Sequence, residues 1–202
     1  MALSTGTNNT QPVGTTLPSS RELEGELTRT RRLSAYVRVV RNTIFTLVTV
    51  AAVAVLVATL LMPVLQIYGT SMSPTLEDSD IVVSLKEHHF QRGDIIAFYH
   101  NNKILVKRLI ANPGEWVNID EQGNVYVNGE LLDEPYISEK SLGECDLQMP
   151  YQVPESRLFV MGDHRSVSVD SRSSTVGCVS EEEIVGKLVF CVWPLERFGA
   201  VN

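Results

Sequence analysis

Residues 103–132 read "KILVKRLIANPGEWVNIDEQGNVYVNGELL", and their punctuation decides the architecture of the second two-thirds of the chain. Short runs rich in β-branched and aromatic residues are divided by Asn-Pro-Gly and by Asp-Glu-Gln-Gly, the pattern of strands joined by turns. Asn128-Gly129, between Val127 and Glu130, predicts a two-residue hairpin, because such a turn needs positive φ at both positions and these two residues accept it most readily. The same grammar runs outward through "DIVVSL", "DIIAFYH", "RLFVMG" and "EIVGKLVFCVW". A mainly β domain is expected over residues 66–202.

Upstream the chain changes character. Residues 1–28, rich in Ser, Thr, Asn and Gly, offer little apolar surface to offset the entropy of ordering, so a disordered tail is expected there. Residues 29–43 form a basic segment carrying Arg29, Arg31, Arg32, Arg38 and Arg41. From Thr43 to Gln66 there is no charge, and about 20 apolar residues suffice to cross a bilayer as a helix. We therefore expect a transmembrane helix over residues 44–65. Five arginines precede it and the first basic residue after it is Lys86, so the positive-inside rule puts the N-terminus in the cytoplasm and the β domain outside. Small residues do not follow the span closely, which favours an uncleaved anchor over a removable leader.

The net charge of −7 is unevenly spread: six arginines against three acids occupy residues 1–65, and the remaining residues are strongly acidic. An acidic domain without a basic stripe argues against nucleic acid as a partner. Cys145, Cys178 and Cys191 are widely separated with no CxxC pair, which speaks against a zinc or redox motif and leaves their disulfide state open. The adjacent His88 and His89 read as a solvated turn.

Three stretches could carry chemistry. Lys107 alternates with Leu105 and Leu109 along an expected strand, and desolvation between them would lower its pKa far enough to make it a base near neutral pH. The alternative at this point is an amine that snorkels to solvent. Arg108 cannot serve as the base, since guanidinium keeps its proton. "GTSMSPTL", residues 69–76, holds Ser71 and Ser73, either of which a neutral lysine could activate, or which simply bond locally in a turn before Pro74. "MGDHRSVSVDSR", residues 161–172, concentrates Asp163, Arg165, Ser168, Asp170 and Arg172.

In order, "GTSMSPTL", "RGDIIAF" (92–98), "VKRLIANPGE" (106–115) and "GDHRSVSVDSR" (162–172) after an N-terminal span resemble the type I signal peptidases, membrane-bound Ser-Lys endopeptidases. The resemblance implies a catalytic domain of two antiparallel β-sheets, with Ser71 as nucleophile and Lys107 as general base. Ser168 would hydrogen-bond the lysine, and Asp163, Arg165, Asp170 and Arg172 would supply supporting ion pairs. The oxyanion would rest on the Ser71 backbone N–H. Gly69 stands where some relatives carry a serine hydroxyl donor, and Met72 adjoins the substrate. His164 replaces the usual asparagine. No metal or cofactor is implied. The implied partners are the lipid bilayer and secretory preproteins with small residues before the cleavage site, handled by a monomer in the bacterial cell membrane. Two alternatives are a non-catalytic membrane-anchored assembly factor on the same fold, which should lack one dyad residue, and a self-cleaving Ser-Lys protein, which should bring a DNA-binding domain.

Overall fold

The computed structural model describes residues 19–201. Helix α1, Ser20–Leu61, runs for 42 residues. Of the tail expected over residues 1–28, the first 18 residues lie outside the described residues, while Ser20–Thr28 are helical. Ser19, directly before the helix, is of a residue type that favours helix N-termini, a local signal that the polar composition obscured. The basic segment is part of the same helix. Within α1, Ala35–Leu60 has a mean hydropathy of 2.5 and is long and apolar enough to cross a membrane. The helix stops at Leu61, short of the expected residue 65, because Pro63 has no N–H to offer and disfavours helical geometry in the residue before it.

Residues 64–66 are instead strand β1 (Val64–Gln66), antiparallel to β2 (Ile81–Leu85). The expected strands follow as β3 (Ile95–His100), β4 (Lys103–Ala111), β5 (Trp116–Ile119) and β6 (Val125–Val127). After β7 (Glu130–Leu131) and β8 (Tyr151–Gln152) come β9 (Arg157–Met161), β10 (Val179–Ser180), β11 (Ile184–Trp193) and β12 (Gly199–Ala200). Asn128 and Gly129 take φ of 54° and 85°, as the hairpin between β6 and β7 requires.

The strands form two antiparallel sheets. The larger runs β1-β2-β11-β3-β4-β9-β10, with β12 added to β11, and the smaller runs β7-β6-β5-β8. Three apolar clusters fill the domain: one around Val117, Val125 and Phe159, one around Met72, Val82 and Leu188, and one around Ile96, Phe98 and Leu109. All three cysteines are free. What this frame does for chemistry is to bring two irregular segments, the loop 67–80 after β1 and the loop 162–178 after β9, against the middle of β4.

Candidate active site

β4 supplies two neighbouring cations, Lys107 and Arg108, only 3% and 2% exposed. Lys107 pairs across the sheet with Ile96, and Leu105 and Leu109 pack in the cluster that contains Ile96 and Phe98. Burial in these surroundings pulls the ammonium from 10.5 to about 8; Asp170 and Asp163 oppose that fall, and Arg172 assists it. Its Nζ lies 2.7 Å from Ser71 Oγ. At that distance the amine donates to the hydroxyl when charged and can take its proton when neutral. Lys107 does not snorkel.

Ser71 sits in a segment without helix or strand, so tethers must fix it. The Ser71 carbonyl accepts the His164 N–H at 3.1 Å, and the His164 ring Nδ1 lies 3.2 Å from the Thr70 carbonyl, a contact that requires a proton on Nδ1. His164 thus serves the local bonding through both its backbone and its ring. Gly69 has φ +86° and donates its N–H to Asp78 Oδ1 at 2.7 Å; a serine in that left-handed position would be strained. No acceptor among the described residues engages the Ser71 N–H. Met72 is 2% exposed in the core cluster beneath and also lines the cleft beside Ser71.

Ion pairs surround the two residues. Arg108 binds Asp163 in bidentate fashion, Nε to Oδ1 at 2.9 Å and Nη2 to Oδ2 at 2.7 Å, and its guanidinium lies 3.8 Å from the centre of the Tyr136 ring. Thr75 donates its hydroxyl to the same Asp163 carboxylate. Arg165 pairs with Glu134, and Tyr136 donates to Glu134 at 2.9 Å; burial, followed by the Glu134 charge, pushes the phenol up and keeps it a donor. Arg172 binds Asp170 through Nε at 2.8 Å and caps the carbonyls of Leu142, Arg165 and Ser168. Asp170 also accepts the Gly162 N–H at 2.9 Å. The four charged residues expected from the loop are therefore all buried and paired. Two of the three ion pairs draw on residues outside that set, Arg108 and Glu134, which the sequence does not mark for that role.

Ser168 departs from expectation. Its hydroxyl is buried and lacks any hydrogen-bond partner among the described residues, so the implied bond to Lys107 is not made. The hydroxyl is turned instead towards Gly162, where an added Cβ would stand 2.2 Å from Ser168 Oγ and 2.5 Å from the Ser71 carbonyl oxygen. Only glycine lets the two loops meet there. The sequence held one sign of this, a glycine directly after a strand and before Asp163.

Beside Ser71 and Lys107 lies a cleft of about 700 Å³, lined among others by Leu65, Tyr68, Ile104 and Val106. It is a size typical of ligand sites.

Residues 40–193 match the family described as "Signal peptidase, peptidase S26". A signal peptidase I of Bacillus licheniformis is 34% identical over 174 residues, spanning 78% of this chain and 92% of its own length. A signal peptidase IB of Staphylococcus aureus (strain COL) is 34% identical over 153 residues, 65% of this chain and 78% of its own. Among solved structures, a signal peptidase I from Enterococcus faecalis V583 aligns with 34% identity and a TM-score of 0.41, covering 50% of this chain and 97% of that one.

Proposed function

Since the chain belongs to the signal peptidase family, peptidase S26, and is a serine endopeptidase, we propose that Ser71 and Lys107 are its catalytic dyad and that it removes signal peptides from translocated preproteins. One observation carries the assignment: a lysine amine only 3% exposed, its pKa brought down to about 8, stands 2.7 Å from a serine hydroxyl. A serine needs a positioned base, and an amine titrating there is neutral in roughly a tenth of molecules at pH 7.

Neutral Lys107 takes the Ser71 proton as Oγ attacks the scissile carbonyl. The Ser71 N–H accommodates the oxyanion. Ammonium then returns the proton to the leaving amine, giving an acyl-enzyme, and a water activated by Lys107 releases the signal peptide. The cleft favours an extended peptide. β1 is an edge strand, and β4 is paired on one side only over residues 103–107, because its pairing with β9 begins at Arg108. Two unpaired strand edges bounding one cleft offer backbone hydrogen bonds to a strand laid between them. Its apolar lining suits the small residues that the family resemblance implies before the cut. Ala35–Leu60 would anchor the enzyme in the cell membrane as a monomer, with the arginine-rich end in the cytoplasm.

The test is cleavage of a preprotein by the full chain in detergent. Ser71→Ala and Lys107→Ala are each expected to lose more than about 10³-fold in kcat/KM. The wild-type rate should climb with pH to a plateau above about 8, because the base is active only when deprotonated. Cleavage by Ser71→Ala at the wild-type rate would overturn the dyad.

A further inference from the structure

The family match ends at Trp193, yet the chain continues into a 3₁₀ turn, Leu195–Arg197, and then β12. Arg197 reaches back across more than a hundred residues to the loop that carries Ser71. Its Nη2 donates to the Thr75 carbonyl at 2.7 Å and to the Pro74 carbonyl at 3.2 Å. Nη1 lies 3.0 Å from Glu77 Oε1, and Nε lies 3.2 Å from Asp80 Oδ2. Asp80 is 1% exposed, and the same oxygen accepts the Glu77 N–H at 2.9 Å, so the guanidinium is the countercharge of a buried carboxylate that itself closes the loop.

We propose that Arg197 is a positioning residue for the nucleophile: it clamps residues 74–80, and through them holds Ser71 within hydrogen-bonding reach of Lys107. The proposal rests on the reading of those two as the dyad. Thr75 is fastened on both sides, its carbonyl by Arg197 and its hydroxyl by Asp163, whose partner Arg108 adjoins Lys107 on β4. The clamp therefore links the C-terminal segment, the nucleophile loop and the strand bearing the base. Four acceptors in different directions call for the rigid fork of an arginine, and a lysine ammonium cannot span them all. Backbone bonds between Ile67 and Ser79–Asp80 close the base of the loop, but no strand runs through residues 70–78, so no sheet ladder there substitutes for these bonds.

The experiment compares wild type, Arg197→Ala, Arg197→Lys and, as a control at a surface ion pair, Arg92→Ala, all as full chains in detergent, well below the unfolding temperature. Arg197→Ala is expected to lose about tenfold in kcat per folded molecule with KM within about twofold, since misplacing a reacting group by a fraction of an ångström acts on the chemical step. Arg197→Lys should fall between, added guanidinium ion should restore part of the Arg197→Ala loss, and Arg92→Ala should match wild type. Amide hydrogen exchange gives the second readout: the Ser73 and Leu76 N–H groups, bonded to the Thr70 and Met72 carbonyls, should lose protection in Arg197→Ala while β4 keeps its own. A lowered unfolding temperature with unchanged kcat and unchanged exchange in this loop would overturn the clamp. If Arg197→Ala does not fold, Arg197→Lys carries both readouts. If the wild type cleaves no preprotein, the functional reading fails, and the exchange comparison still decides whether Arg197 orders the loop.

Discussion

Lys107 and Arg108 are neighbours on one strand, equally buried, and the protein treats their charges in opposite ways. Arg108 keeps its charge and receives a bidentate carboxylate, a carbonyl and an aromatic face. Lys107 has no carboxylate within salt-bridge distance among the described residues and faces a serine hydroxyl, so burial outweighs the more distant Asp170 and Asp163 and lowers its pKa. A cation can be buried by pairing it or by making it easy to neutralise, and only the second route yields a base. The side-chain types reinforce the division, since guanidinium does not give up its proton and an amine can.

The sharpest way to break this contrast is Lys107→Arg. It retains a long cationic side chain and removes only the ability to deprotonate, so kcat/KM should fall by more than about 10³-fold, measured by preprotein cleavage. Cleavage within tenfold of wild type would show that deprotonation at this position is not required. Next in size is the other member. Asp163→Asn leaves the Arg108 charge buried without its carboxylate and should cost roughly 3–5 kcal/mol in denaturant unfolding, the usual penalty for breaking a buried pair from one side.

Lys107→Met should have the opposite sign, stabilising the fold while abolishing activity. The folded pKa of about 8 lies below the unfolded value of 10.5. Below pH 8 both states of the wild type are charged and the folded state bears the whole net penalty of holding that charge, about 3 kcal/mol. Between pH 8 and 10.5 the unfolded chain binds more protons than the folded one, so wild-type stability rises with pH. The advantage of Lys107→Met should therefore be greatest at neutral pH and shrink across that window. An advantage independent of pH would mean that the amine is not desolvated.

These residues also mark what the sequence could reveal. Period-two alternation placed Lys107 between leucines, and strands of four or more residues were legible as runs. β8, β10 and β12 were not, because two residues hold no period and only their partners define them. Arg108 was visible as the neighbour of the base, but its pairing with Asp163, 55 residues later, is a product of the β4–β9 register. Glu134 is one acid among 24, and nothing in "LLDEPY" distinguishes it until the fold brings Arg165 to it. Ser168 is the reverse case, since the motif named the residue but could not give the direction of its hydroxyl, which close packing on Gly162 determines.

The smallest expected effect concerns a second pair of like residues, Ser71 and Ser73. Both hydroxyls lie in one irregular loop, and local composition favours neither as nucleophile. Ser71 Oγ meets the Lys107 amine, whereas no hydrogen bond among the described residues uses Ser73 Oγ; Ser73 enters the loop's bonding through its N–H, which donates to Thr70 at 3.1 Å. Ser73 lines a separate small cavity with Pro74 and His164. Removing its hydroxyl leaves that backbone bond intact and strands no buried partner, so Ser73→Ala should keep kcat/KM within about twofold of wild type. A loss comparable to that of Ser71→Ala would mean that an amine poised near pH 8 does not choose its serine by the 2.7 Å contact seen here.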